Sequence, residues 1–140
     1  MADLNGDIKV KVDGLIDEAM SKFSRENISI AINILLEAWD LLPENKNQWN
    51  QSFLVAKYIT HVYFNAAEFQ KAREWVLIFN DTDPDRDFGE SEFMLGKIDF
   101  ELGNLDNAKT WFSTSDKKSG GRVWKGESDL KYLKFYKEKK

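Results

Sequence analysis

Apolar residues recur every three or four positions along most of this chain, and that spacing predicts helices. The predicted helices are 10–23, 28–42, 50–65, 69–79, 105–114 and 127–138, with a fifth helix in chain order between Asp87 and Leu102. Residues 1–8 are predicted to be a loose arm. The longest alternating run, residues 8–12, is too short and too polar to indicate a sheet. The pattern therefore predicts an all-α fold of about seven helices.

Polar segments and helix-terminating residues separate the predicted helices. A turn is expected at residues 25–27, and Pro43 ends the second helix. Residues 80–87 read as an acidic loop, and Asp87 with Glu90 fits a capping box that starts the fifth helix. Residues 115–121 form a polar break with two glycines, which predicts that the sixth helix ends before it.

Two of the predicted helices have a special place in the array. Apolar residues nearly surround the third helix, which indicates that it packs on more than one side and is central. In the last helix Leu130, Leu133 and Tyr136, with Trp124 before it, are predicted to face inward. The chain is thus expected to form three antiparallel pairs and a C-terminal cap, which stacked helical pairs need to cover the last apolar face.

The stretch from Phe100 to Phe112 organises the rest of the chain. Gly103 falls in a turn, where a positive φ carries no steric cost for glycine, and Ala108 is small where two helix axes cross closely. Phe64 and Ala72 repeat the eight-residue spacing from Phe100 to Ala108. A third, weaker copy covers residues 31–43, so the pattern indicates a repeat.

This order of aromatic, Gly, Ala and aromatic residues resembles the tetratricopeptide repeat (TPR), a helical hairpin of 34 residues. The resemblance implies a single TPR-like domain over residues 1–140, with approximate repeats at 12–45, 53–86 and 89–122 and a capping helix at about 127–138. An array of helical hairpins unrelated to that family stays open as the alternative.

Composition and charge narrow the kinds of partner. The chain of 140 residues has a formal net charge of −4, a pI near 5.1 and no cysteine. An acidic chain is a poor nucleic-acid binder, whereas a basic protein partner is favoured electrostatically. There is no signal-peptide pattern and no apolar run long enough to span a membrane, so we expect a cytoplasmic protein that is a monomer or weak oligomer.

Catalytic and metal chemistry find little support in the sequence. His61 is the only histidine, and no cysteine or serine lies at a spacing typical of a nucleophilic catalytic arrangement. The favoured interpretation is that His61 packs against neighbouring residues or lines a groove. Asp83, Asp85 and Asp87 imitate the start of a calcium loop, but Phe88 stands where that loop needs glycine. We therefore predict no catalytic, cofactor or metal site, and we expect a protein that is not an enzyme.

The TPR resemblance implies a binding groove lined by the first helix of each repeat. Carried onto this chain, it implies partner-binding roles for Met20, Phe23, Lys57, His61, Phe64, Asn65, Glu90, Phe93, Lys97, Phe100 and Glu101. Aromatic and charged residues alternate in this set, as they do in protein interfaces. The carboxylate clamp of the family is not reproduced, because Ile16 and Met20 stand where Lys and Asn are needed.

The tail, residues 120–137, resembles the end of small bacterial TPR-type immunity proteins, which neutralise secreted polymorphic toxins. That resemblance implies a non-enzymatic protein that binds and neutralises a cognate toxin domain, which the acidic charge of the chain leads us to expect to be basic. The alternative is a TPR-type scaffold or regulator that binds a peptide or a partner helix in its concave groove.

Overall fold

The computed structural model describes residues 4–24, 27–84 and 88–138. These residues form seven α-helices and no strand. The helices are α1 (Gly6–Lys22), α2 (Ile28–Leu41), α3 (Asn50–Asn65), α4 (Phe69–Thr82), α5 (Glu90–Glu101), α6 (Leu105–Ser119) and α7 (Leu130–Lys137). None of the helices in these ranges is both long and apolar enough to cross a membrane.

Neighbouring helices are packed in pairs: α1 with α2, α3 with α4, and α5 with α6. The predicted all-α array of helical pairs with a C-terminal helix is therefore confirmed. The chain divides into two compact units, which we call the N-terminal unit (residues 1–84, α1 to α4) and the C-terminal unit (residues 85–140, α5 to α7). The expectation that all 140 residues form one TPR-like domain stays a prediction.

The core of the N-terminal unit is built from apolar stripes of α1, α2 and α3. Its buried members are Leu4, Val12, Ile16, Ala19, Ile32, Leu35, Ala38, Leu42, Val55, Ile59 and Val62. The central place predicted for α3 is confirmed, because this helix contacts α1, α2 and α4. Ala31, Ala72 and Ala108, the small residues of the three sequence copies, are all fully buried.

The same kind of turn joins the two helices of the α5–α6 pair and the two helices of the α3–α4 pair. After α5, the Asn104 amide donates to the Asp99 carbonyl at 2.8 Å and the Gly103 amide to the Phe100 carbonyl at 3.1 Å. Gly103 has the predicted positive φ, 82°. After α3, Ala67 adopts φ 60° and the amides of Glu68 and Ala67 donate in the same pattern. This is the Schellman arrangement, which satisfies carbonyls at the end of a helix.

The sequence placed several helix ends too early or too late. Helix α1 begins at Gly6 and Leu4 is buried, so the predicted loose arm at residues 1–8 is wrong where the structure describes it. Helix α4 continues to Thr82, into the predicted acidic loop. The turn predicted at 25–27 and the calcium-like run 83–87 fall largely outside the described residues, which omit 25, 26 and 85–87.

The predicted break at residues 115–121 is wrong over residues 115–119, because α6 continues to Ser119; Gly120 and Gly121 end the helix, and both have a positive φ. Ser115 is fully buried there, and its hydroxyl donates to the Gly89 carbonyl at 2.8 Å. Gly89 has φ 81°, and a Cβ atom at this position would lie 2.9 Å from the Ser115 carbonyl oxygen. Helix α5 therefore begins at Glu90 after a glycine that no other residue can replace without strain. Asp87, the predicted cap, lies outside the described residues.

The inward face predicted for the last helix is partly wrong. Leu130 is 68% exposed, whereas Tyr132 is 2% exposed. The rings of Tyr132, Phe135 and Tyr136 lie 6.2, 6.4 and 6.3 Å from the fully buried ring of Phe112. Helix α7 begins at Leu130 rather than near residue 127, and it covers the α5–α6 pair with aromatic rings instead of leucines.

Candidate functional site

Two of the predicted partner-binding residues meet at one end of the N-terminal unit. Phe23 follows the last turn of α1 and Asn65 ends α3, and together with Ser24 and Ile28 they line a cavity of about 290 Å³. The cavity lies where the α1–α2 connection approaches the end of α3. The sequence therefore identified two residues that the fold places side by side.

A second cavity, of about 360 Å³, is a neighbour of the first, since Ile28 lines both. It is lined by Ile28, Ser29, Ile32, Asn33, Leu36, Tyr63, Ala66, Glu68 and Lys71. We call the two cavities together the turn-end groove. Cavities of a few hundred cubic ångströms are large enough to receive one or two side chains or a small ligand.

The turn-end groove has apolar walls and a polar rim. Ile28, Ile32 and Leu36 project from successive turns of α2, since they are four residues apart. At the rim the Lys71 ammonium lies 5.7 Å from the centre of the Tyr63 ring and 3.8 Å from a Glu68 carboxylate oxygen. Such a surface can receive an apolar side chain and offer charges of both signs beside it.

The other predicted residues of this unit line neither cavity. Met20 packs against the core of the unit. The Lys57 ammonium lies 5.9 Å from the centre of the Phe53 ring, and the Phe64 ring meets the Phe69 ring edge-on at 5.5 Å. His61 is half-buried on α3 and also interacts with neighbouring groups. Their roles in partner binding stay predictions.

In the C-terminal unit, four predicted residues of α5 contact residues 122–138, which we call the C-terminal segment. The Lys97 ammonium pairs with Glu127 at 2.9 Å, and these side chains are only 15% and 9% exposed. The Glu101 carboxylate accepts a hydrogen bond from the Tyr132 hydroxyl at 2.5 Å and pairs with Lys131 at 2.7 Å. Both charged groups are therefore already satisfied inside the unit.

The two aromatic residues of that set are engaged in the same way. The Phe93 ring meets the Trp124 ring edge-on at 5.0 Å, and the Phe100 ring lies 5.3 Å from Tyr132 and 4.9 Å from Phe135. Phe93 is buried, whereas Phe100 is half-buried. Glu90, in the first turn of α5, is exposed. We call the five predicted residues Glu90, Phe93, Lys97, Phe100 and Glu101 the α5 set. A partner that used Phe93 or Phe100 would have to compete with this segment.

Two carboxylates that the sequence analysis did not single out, the buried Asp99 and the half-buried Asp116, hold this unit together. Asp99 is fully buried and accepts hydrogen bonds from the Trp111 indole at 3.1 Å and from the Asn104 amide group at 3.2 Å. Asp116 accepts from the Trp124 indole and the Tyr136 hydroxyl, both at 3.1 Å. These bonds satisfy the polar atoms of the aromatic rings, which would otherwise be costly to bury.

The same environment shifts the titration of three groups of the C-terminal segment. Burial, and then the hydrogen bond to Glu101, raise the pKa of Tyr132 far above its ordinary value. Burial and the nearby Asp116 raise the pKa of Tyr136, and the hydrogen bond to Glu101 raises the pKa of Lys131. All three groups therefore keep their protons in the folded chain at neutral pH.

Metal binding has no visible basis in the described ranges, where no cluster of three or more His, Cys, Asp or Glu side chains could hold an ion. No protein-family model matches the chain, and no curated protein matches its sequence. The assignment to the tetratricopeptide repeats consequently stays a prediction that rests on the residues of the three copies.

Sequence reasoning missed most of the turn-end groove. The apolar spacing predicted a helix at residues 28–42 with Ile28 and Ile32 facing inward, and the structure shows that both residues also line the groove. The available signal was the pairing of these residues with Ser29 and Asn33 one position later, which puts polar groups beside an apolar stripe. Periodicity alone does not tell a wall of a groove from a wall of the core.

Proposed function

We propose that this chain is a non-enzymatic protein-binding module whose partner docks on the turn-end groove. The observation that carries the proposal is the pair of neighbouring cavities that share Ile28, which places Phe23 and Asn65 beside the apolar stripe of α2. Protein interfaces combine a desolvated apolar centre with a polar rim, and this surface offers both. An apolar anchor of the partner fits against Ile28, and a basic group fits beside Glu68 at the rim.

The specific form of the proposal is a bacterial immunity protein that binds and neutralises a cognate secreted toxin domain in the cytoplasm. It is supported by the likeness of residues 120–137 to such proteins and by the net charge of −4, which steers a basic partner toward the chain. A chain without cysteine also suits a reducing compartment.

Co-expression with the product of the neighbouring gene, followed by pull-down and a survival assay, tests the proposal. Asn65 is exposed at the end of α3, so Asn65→Trp should fill the 290 Å³ cavity and abolish capture and protection without unfolding the chain. Gln70→Trp is the matched control, since Gln70 is exposed on α4 and lines neither cavity. This control should bind as the unaltered chain does.

The outcomes separate the parts of the proposal. Binding that survives Asn65→Trp would show that the partner uses another surface. Capture of a non-toxic partner, or of a short peptide, would replace the immunity role with that of a scaffold or regulator. Failure to capture any neighbouring gene product would remove the support for the toxin pairing.

A further inference from the structure

A second concave surface lies on the N-terminal unit, along α1 and α2. It is a cavity of about 300 Å³ lined by Val10, Lys11, Gly14, Leu15, Glu37 and Leu41. Val10 is 73% exposed and Leu41 is 40% exposed in the whole chain. Large exposed apolar side chains that gather around one depression mark an interaction surface. We call this surface the α1–α2 face.

Gly14 gives the α1–α2 face its depth. It lies in the interior of α1, and a Cβ atom there would meet nothing within 4 Å. Glycine at such a position destabilises a helix by about 1 kcal/mol relative to alanine. No close contact with the residues that the structure describes requires it, whereas a second surface approaching α1 would use the missing side chain.

The charges on the α1–α2 face are self-complementary. Lys11 and Glu37 both line the cavity, and neither forms an ion pair or hydrogen bond within the part of the chain that the structure describes. The neighbouring Lys9, by contrast, pairs with Asp13 at 2.8 Å. In a two-fold interface, a contact between Lys11 of one copy and Glu37 of the other occurs twice, because the symmetry also brings Glu37 of the first copy to Lys11 of the second. Each dimer would therefore gain two ion pairs.

We propose that a second copy of this chain docks on the α1–α2 face as a two-fold dimer. Lys11 of each copy pairs with Glu37 of the other, and Val10 and Leu41 pack across the floor at Gly14. Six residues line the face, whereas a stable interface has about 20–30 residues a side, so the dimer is weak and in equilibrium with the monomer. This inference does not depend on the toxin proposal, since it uses a different surface and a different partner.

Sedimentation velocity on the full chain over a concentration series tests the dimer. Lys11→Glu and Glu37→Lys each replace two attractions with two repulsions, so each should weaken self-association by about tenfold or more. An equimolar mixture of the two variants should dimerise again, because every contact between unlike copies then joins opposite charges. Lys117→Glu is the control, since Lys117 is exposed on α6 and should leave self-association unchanged.

A second pair of variants tests the apolar part of the face. Val10→Asp should abolish self-association. Leu77→Asp is the control and should not, because Leu77 is an exposed apolar residue of the same unit that lies outside the α1–α2 face. Circular dichroism verifies that each variant is folded. A chain that stays monomeric at the highest attainable concentration would overturn the proposal, and so would a dimer that the Lys11 and Glu37 variants leave intact. A mixture that fails to restore association would refute the proposed pairing.

Discussion

Gly96, in the middle of α5, is the position where one added methyl group reports most directly on the packing of the C-terminal unit. A Cβ atom there would lie 2.6 Å from two ring carbons of Phe112, far inside van der Waals contact. The Phe112 ring is fully buried, with the Phe93 ring at 5.7 Å and the Trp124 ring at 5.2 Å. Phe112 can therefore move only by displacing its neighbours.

Two opposing terms set the magnitude for Gly96→Ala. Replacing glycine by alanine within a helix stabilises it by about 1 kcal/mol, while overpacking a core costs about 1–3 kcal/mol. The net change in the free energy of unfolding should thus lie between about zero and a loss of 2 kcal/mol. Gly14→Ala is the matched control, because its Cβ meets nothing within 4 Å and only the favourable term applies.

Urea unfolding followed by circular dichroism measures both variants, at a concentration low enough to avoid self-association. The expected difference between them is the overpacking term alone, about 1–3 kcal/mol. If Gly96→Ala stabilises the chain as much as Gly14→Ala does, the close approach of α5 to Phe112 is refuted. Combining Gly96→Ala with Phe112→Leu provides a second check, since contacting residues give non-additive effects.

Two further predictions concern the C-terminal segment. Tyr132→Ala should destabilise the chain by about 3–5 kcal/mol, which is the cost of removing a buried aromatic ring. Leu130→Ala, at an exposed position, should change stability by less than about 0.5 kcal/mol. Equal shifts of the melting temperature would contradict the observed inward face of α7. Because the pKa of Tyr132 is raised in the folded chain, unfolding releases a proton above pH 10.0, its ordinary pKa. Stability should then fall as the pH rises, by up to about 1.4 kcal/mol per pH unit for this group, and Tyr132→Phe should make the melting temperature less sensitive to alkaline pH.

Helical periodicity predicted the helices and their pairing well, because burying one face of each helix imposes the spacing that the sequence displays. It predicted α3 at its observed bounds, residues 50–65. The repeat spacing singled out Ala72 and Ala108 as small residues for close helix crossings, and both are fully buried. These features depend on neighbours along the chain or on the hydrophobic pattern itself.

The failures involve partners that are distant in sequence. From sequence, Ser115 is predicted to start a polar break. In the structure its hydroxyl donates to the carbonyl of Gly89, so this polar side chain can be buried within α6. Tyr132 reads as less apolar than Leu130, but Glu101 accepts its hydroxyl hydrogen and allows the ring to be buried. The turn-end groove likewise forms from three separate segments, so no local pattern could have delimited it.

The α5 set shows why a recognition surface and a cap are hard to tell apart from sequence. A recognition surface and a cap both need aromatic rings alternating with charges, since each buries rings against a second segment and satisfies the polar groups of that segment.

Lys97 and Glu127 form a largely buried pair, and reversing one charge would leave the other buried and unpaired, which is strongly destabilising. If reversing the charge of Lys97 abolished partner binding, the cause could be the loss of the Glu127 pair rather than the loss of a partner contact. The stability of the variant therefore has to be measured as well. Reversal of Glu90 avoids this ambiguity because Glu90 is exposed. A partner that binds this face has to replace what Glu127, Trp124 and Tyr132 already supply, so the C-terminal segment is the competitor that any such partner must displace.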